Sequence, residues 1–494
     1  MTTNSNENNK VTSAVTTLPA EQFTDAQLSD IFARDYKNKV RFCHETSCWF
    51  VWNEKQWSPD ICGEVIGHAE ECVKKQIAQY AQTAQTVELK KVLSCLSTGK
   101  FRSIVSLAES KMPIKKSEFN ANPWLFNCKN GVLNLKTGEL IPHSPDQLLS
   151  FMANVDFNPD EDCPVFKAFI HQIMLGKEEL ISYLQRAAGY TLTGDTSEQC
   201  FFLLMGDGKN GKTTLLELMR HILGDYARTV GAKTLMISNT EHIPSDIALL
   251  EGKRYAPCSE TSSMQRLNEA RVKALTGGDQ IEARRRYADE YNYNPQFKLW
   301  VATNSTPTIK GTDEGIWRRI HKIPFELRLE SAQVNKRLLD DLKKEVSGVL
   351  NWLFEGCKQW QKMGGLMPPD VVKNATAAYR AEMDTVLDFA SDCLKKVAGT
   401  SILNPQMYAT FSKWYYDNVG DNHLPTHKDM TQRLKQAGYN LKGGKSRKWV
   451  DVAFREENDW TDAELEDFFA KSEAKPEAVY IAPQSGSLDE SLPF

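Results

Sequence analysis

The sequence predicts an α/β protein, and three observations lead there. Residues 206–213 read Gly-Asp-Gly-Lys-Asn-Gly-Lys-Thr, between the apolar run 200–205 and a helical pattern at 215–219. Apolar runs at 254–259, 297–303 and 320–325 alternate with further helical patterns, as strands joined by crossover helices do. The 494 residues are 41% hydrophobic and 25% charged, which suits a soluble globular chain of about three domains.

Composition excludes several classes. No apolar run approaches ~18 residues and the start is polar and Asn-rich, so neither a membrane span nor an export signal is expected, and the location read is cytoplasmic. The 11 cysteines are odd in number and scattered without zinc-site spacing, which favours free thiols over a disulfide scaffold. A net charge of −4 leaves any DNA contact to local basic patches.

Residues 1–22 are a polar leader expected to be disordered. Residues 23–159 form a mainly helical first domain. Within it, 48–57 predicts a hairpin turning at Asn53–Lys55, helices follow between 62 and 108, and 131–140 gives two short strands about Thr137-Gly138. Trp49, Trp52 and Trp57 have two readings, hairpin core or stacking platform for bases. Residues 160–330 carry the motor domain. Residues 331–385 are a helical connector, in which a long amphipathic helix at 335–360 serves as lid or bundle element.

In the glycine-rich loop, Gly206, Gly208 and Gly211 let backbone N–H groups turn inward around phosphate oxygens. Asp207, Lys209 and Asn210 complete it, Lys212 reaches the β- and γ-phosphates, Thr213 ligates Mg²⁺, and Thr214 continues into the helix. A nucleoside triphosphate with Mg²⁺ is therefore the expected cofactor. Four later elements set the class. Glu260 ends the second apolar strand, where a carboxylate polarises attacking water and assists the metal. Asn304 ends the third, suited to orienting the same water. Trp317-Arg318-Arg319-Ile320 offers guanidinium groups either to a neighbour's γ-phosphate or to a structural ion pair. Between these lies Lys273-Ala-Leu-Thr-Gly-Gly-Asp279, followed by Arg284-Arg285-Arg286.

This order of motifs resembles superfamily 3 DNA helicases, AAA+ motors of small DNA viruses. More narrowly, it resembles the helicase part of phage and plasmid primase-helicases with a poxvirus-type N-terminal domain. The resemblance covers roughly residues 25–455 and is most specific at 206–325. It implies ATP as the nucleotide and a homo-hexameric ring around one DNA strand moving 3′ to 5′. It also implies a channel hairpin with Arg285 and Arg286 at its phosphate-contacting positions and Lys273 and Arg284 nearby. Side chains alternate along a strand, so Arg285 and Arg286 are not equivalent, and one of them packs or pairs with Glu282 or Glu290. By the same match Arg319 is the first candidate for the arginine finger and Arg318 the second. Two departures stand out. Ser259 precedes Glu260 where many relatives have paired acids, and the ~22 residues before Phe23 are too few for the primase domain that many relatives carry, so no primer synthesis is expected.

Residues 386–455 give a helix from Asn404-Pro405 to Trp414, a helix capped by Thr426 and Asp429 and stopped at Gly438, and a hairpin about Gly443-Gly444. Helix, helix and basic hairpin is the order of a winged helix. Lys442, Lys445, Arg447 and Lys448 are its DNA candidates, a solvated basic face being the other reading. The acidic tail 456–494 ends in Asp489, Glu490, Leu492, Pro493 and Phe494, similar to the tail tip of bacterial single-stranded DNA-binding proteins. It serves either to dock host replication proteins or a separate primase, or as a solubilising tail. The expected function is a replicative DNA helicase of a phage, satellite or mobile element in a bacterial cell. The alternative is an origin-binding or regulatory DNA-remodelling ATPase without processive unwinding.

Overall fold

The computed structural model describes residues 23–82, 92–237, 246–259, 266–284, 290–304, 306–309, 314–330, 335–419, 424–443 and 447–455. The chain divides into two compact units, Met1–Arg380 and Ala381–Phe494.

The first unit opens with helix Asp25–Tyr36, whose N-cap Thr24 accepts a hydrogen bond from the Gln27 N–H. It packs with helices Glu64–Ala81 and Thr98–Ala108 around Leu28, Phe32, Val73 and Ile104. The expected hairpin is present as β2 (Cys48–Trp52) and β3 (Trp57–Pro59), and β1 (Val40–Cys43) completes an antiparallel sheet. Its turn is held by Asn53 Oδ1, which accepts from the Lys55 and Gln56 N–H groups at 3.1 and 2.9 Å. Trp57 is 1% exposed beside Trp52 and Phe119, and Trp49 lies against Phe42. These contacts fit the hairpin-core reading of the tryptophans.

A second antiparallel sheet, β4 (Leu125–Cys128), β5 (Gly131–Asn134) and β6 (Leu140–Ile141), contributes Phe126 and Leu133 to the main hydrophobic core. That core also holds a four-stranded sheet in the order β12-β7-β11-β8. Its strands are β7 (Phe201–Met205), β8 (Tyr255–Ser259), β11 (Lys298–Thr303) and β12 (Ile320–Pro324), all parallel. Every β11 residue is buried, which explains why the strands read as unbroken apolar runs: both faces are covered.

The expected long helix at 335–360 is broken into Leu338–Leu342, a 3₁₀ turn at Lys343–Glu345 and helix Val346–Met363. At the break the Glu345 carboxylate accepts from the Val165 and Phe166 N–H groups at 3.2 and 3.0 Å, satisfying the start of helix Pro164–Ile173. Helix Val346–Met363 is a bundle element. It crosses Glu178–Thr191 so closely that a Cβ on Gly189 would lie 2.1 Å from the Cys357 nitrogen, and one on Gly356 would lie 1.9 Å from the Gln185 carbonyl.

The second unit runs helix Thr385–Cys393, β13 (Leu394–Leu403), helix Asn404–Asn418, helix His427–Gln436, β14 (Asn440–Lys442) and β15 (Lys448–Phe454). The antiparallel sheet has the order β13-β15-β14. Thr426 and Asp429 form the expected capping box, and Gly438 takes φ 83° after the helix. Phe389, Phe411 and Trp449 fill the core, with the Trp449 indole N–H donating to Asn404 Oδ1 at 2.9 Å.

Among the described residues no helix is long and apolar enough to cross a membrane, and no cluster of His, Cys, Asp and Glu is arranged to hold a metal. All 11 cysteines are free.

Candidate functional site

The glycine-rich loop leaves the sheet at Met205 and enters helix Lys212–Leu223. Gly208, Lys209 and Gly211 all take positive φ, at 91°, 48° and 85°. A Cβ on Gly206 would lie 2.2 Å from the Phe325 carbonyl and one on Gly211 2.6 Å from Ile173 Cγ2. The glycines are therefore required by close approach as well as by backbone conformation. Asn210 Nδ2 donates to the Phe325 carbonyl at 3.2 Å, tying the loop to the end of β12.

Lys212 is 4% exposed. Its ammonium donates to the Gly206 carbonyl at 2.6 Å, to Asn210 Oδ1 at 3.0 Å and to Asn304 Oδ1 at 3.2 Å. Three partners match the three protons of an ammonium, and burial holds its pKa below the ordinary lysine value. The structure thus brings Asn304, one residue past β11, onto the loop lysine. Thr213 is exposed on the first helical turn and Thr214 is half-buried behind it. A tight glycine cradle, a buried ammonium and a helix N-terminus fit a triphosphate, and the placement of Thr213 fits its metal. Asp207 pairs with Arg328, both well exposed. Glu260 lies outside the described residues.

The two arginines sit at the opposite edge of the sheet. β12 pairs in parallel with β7, Ile320 beside Phe201 and Pro324 beside Met205, so Arg318 and Arg319 precede the strand end farthest from the loop. Five strand residues span roughly 16 Å, beyond an arginine's reach to a phosphate in the same loop. The two arginines differ in burial. Arg319 is 8% exposed, its guanidinium donating to the Gly315 carbonyl at 2.6 Å. Arg318 is exposed, donates to Gln199 Oε1 at 3.2 Å, and borders a cavity of about 280 Å³ with Trp317, His321, Val372 and Arg380.

The stretch after Gly277-Gly278 forms a two-stranded ribbon, β9 (Ile281–Arg284) against β10 (Glu290–Tyr293). Ile281 and Ala283 face inward while Glu282 and Arg284 are exposed, and Arg284 lies 3.8 Å from Glu290. Lys273 is half-buried on helix Glu269–Thr276. Arg285 and Arg286 lie outside the described residues. The root of the ribbon is anchored: the Tyr293 hydroxyl donates to the Ile247 carbonyl at 2.6 Å and that of Tyr291 to Glu251 Oε2 at 2.9 Å. Lys116 of the first domain pairs with the same Glu251 carboxylate.

In the second unit, Lys442 stands directly opposite Lys448 on paired strands, with Arg447 also exposed. Like charges opposed across a ladder repel unless an anion lies between them. Arg433 instead turns toward Asp384 at 3.4 Å. Lys428, Gln432 and Lys435 share the outward face of helix His427–Gln436, which helical spacing alone makes legible. Lys445, Asp489, Glu490, Leu492, Pro493 and Phe494 lie outside the described residues. Sequence reasoning missed Gln199 and Arg328. Neither belongs to a motif, and only the folded chain brings them to the arginine edge and the loop.

Fold and site together define a mixed α/β protein whose parallel sheet presents a glycine-rich phosphate loop. Residues 29–175 match the family described as D5 N terminal like, and residues 204–319 match a family of unknown function, DUF5906. The chain is 30% identical over 333 residues to "Putative helicase L207/L206" of Acanthamoeba polyphaga mimivirus, covering 63% of this chain and 34% of that one. It is 27% identical to "Putative helicase 022R" of Frog virus 3 over 47% of this chain and 26% of that one. With "Putative primase C962R" of African swine fever virus it shares 22% identity, over 72% and 41% of the two chains. The chain thus spans between a quarter and two fifths of the length of these relatives. Among solved structures, the apo NrS-1 C-terminal region aligns over 86% of this chain and 98% of that one, at TM-score 0.47 and 10% identity. The D5-type match and the helicase and primase names bear out the resemblance to primase-helicases with a poxvirus-type N-terminal domain.

Proposed function

We propose that this chain is an ATP-dependent superfamily 3 DNA helicase whose AAA+ motor works as a homo-hexameric ring, moving 3′ to 5′ on single-stranded DNA. The observation that carries the reading is the separation of the site's parts. Lys212 and Asn304 converge on the glycine loop at one edge of the sheet, whereas exposed Arg318 stands at the other. Such a site is completed by a neighbouring copy. In this reading the loop N–H groups and Lys212 hold the triphosphate, Asn304 orients the attacking water, and Glu260 takes its proton. Arg318 faces the neighbour's γ-phosphate, with Arg319 the buried support beneath it. Mg²⁺, held by Thr213 with help from Glu260, would neutralise phosphate charge.

Lys273, Arg284, Arg285 and Arg286 line the DNA channel in this proposal. The second unit acts as a winged helix, with Lys442, Lys445, Arg447 and Lys448 on duplex phosphates. The tail, through Asp489, Glu490, Leu492, Pro493 and Phe494, recruits replication proteins or a separate primase. The setting we propose is replication of a viral or mobile-element genome. The relatives named above come from viruses of eukaryotes, so the host need not be the bacterial cytoplasm of the phage reading.

Forked DNA with either a 3′ or a 5′ tail tests the proposal. Native protein should separate the 3′-tailed fork with ATP, and Lys212→Ala and Glu260→Gln should not. ATP hydrolysis without strand separation would favour the origin-binding reading.

A further inference from the structure

Gln199 lies between the arginine edge and the root of the DNA ribbon. Its amide oxygen accepts from Arg318 Nη2 at 3.2 Å, and its amide nitrogen donates to the Gly277 carbonyl at 2.6 Å. A guanidinium can only donate and a carbonyl can only accept, so these two partners fix the amide in one orientation. Gly277 is the C-cap of helix Glu269–Thr276, four residues before β9 begins. A single side chain therefore spans from Arg318 to the segment that sets the angle at which the ribbon leaves the domain.

The backbone at Gln199 reinforces this placement. It takes φ 46°, a left-handed conformation that costs a non-glycine residue roughly 1 kcal/mol or more. Glycine would fit there without strain, yet glutamine occupies the position, and its amide makes both contacts.

We infer that Gln199 is a positioning residue that couples the nucleotide state at the subunit interface to the DNA ribbon, an inference that rests on the roles proposed above for Arg318 and the ribbon. When Arg318 turns to a neighbour's phosphate, the Gln199 oxygen loses its donor and the hold on Gly277 loosens. When Arg318 returns, the amide is locked again and the ribbon root with it. Two sites linked in this way must influence each other reciprocally.

The test uses the full chain and a fluorescent oligonucleotide. Single-stranded DNA affinity is measured by anisotropy with ADP and with a non-hydrolysable ATP analogue, alongside ATP hydrolysis with and without DNA. Native protein should show a nucleotide-dependent affinity difference of at least about fivefold, the lower end of measured coupling between sites. Gln199→Gly should abolish that difference and the DNA stimulation of ATPase. Its melting temperature should stay near native, because relief of the positive φ offsets the lost amide contacts. Gln199→Glu keeps the contact to Arg318 but cannot donate to Gly277, and should uncouple as well. If native protein shows the difference and Gln199→Gly shows it equally, the coupling role is wrong while the helicase reading stands. If native protein shows neither the affinity difference nor stimulation by DNA, the helicase reading falls and the inference falls with it.

Discussion

The two edges of the parallel sheet are built on opposite plans. At the loop edge the cation is enclosed: Lys212 is buried and its three donors are matched by the loop and Asn304. At the arginine edge the exposed cation, Arg318, leans on one amide beside an open cavity. An enclosed charge is pre-organised for a ligand that comes to it, whereas an exposed charge on a long side chain is available to reach out. If the chain is the ATPase proposed above, catalysis should fail at either edge for different reasons, and substitutions can separate them.

The largest effect is expected at the loop. Lys212→Ala should lower ATP hydrolysis to below about a thousandth of native, since it removes the buried ammonium at the centre of the loop. Arg318→Ala should cost about 10³ in kcat with the melting temperature near native, while Arg319→Ala should lose about 2 kcal/mol of stability in urea unfolding. Mixing Lys212→Ala with Arg318→Ala subunits should recover part of the ATPase, because some interfaces then carry one intact half from each. No recovery, or the reverse pattern for the two arginines, would overturn the assignment.

A third effect concerns pH and centres on His321 at the arginine edge. His321 lines the cavity, is hydrogen-bonded through Nδ1 to the Tyr183 hydroxyl, and is pushed by burial from 6.5 down to about 4. The unfolded chain binds this proton more readily than the folded one. Its contribution is therefore full above pH 6.5 and is lost as pH falls toward about 4, costing about 2 kcal/mol at pH 5. Urea midpoints at pH 7.5 and pH 5 measure this, and His321→Gln should flatten the difference. The smallest effect is expected from Arg328→Ala. It removes an ion pair with both partners exposed, and should change stability by less than about 0.5 kcal/mol.

Much of the loop edge was legible from sequence, because local chemistry dictates it. Glycines at fixed spacing, a lysine and a hydroxyl at the helix start, and an amide at a strand end each have one place to be. The sheet followed from its unbroken apolar runs. The arginine edge was less legible: adjacent Arg318 and Arg319 look alike in sequence, and only the turn before β12 buries one and exposes the other. Gln199 could not be found at all, since both its partners are far away along the chain. In the second unit the caps at Thr426 and Gly438 were readable. β13 was not, because Gly399 and a register shift between Lys396 and Ser401 interrupt its alternation.

The buried Arg254 bears on how this protein can be dissected. Its guanidinium donates to the carbonyls of Leu125 at 2.7 Å, Asn122 at 3.3 Å and Leu192 at 2.6 Å, and stacks over Tyr226. Those acceptors come from both sides of the boundary at 159/160 that the sequence suggests, and Phe126 and Leu133 share one core with the parallel sheet. A fragment begun at residue 160 would strip Arg254 of two of its acceptors and leave an oily wound on the sheet. The later part of the first matched stretch, from Phe126 on, shares its core with the second, and a gene cut at residue 160 should yield less soluble fragment than the full chain.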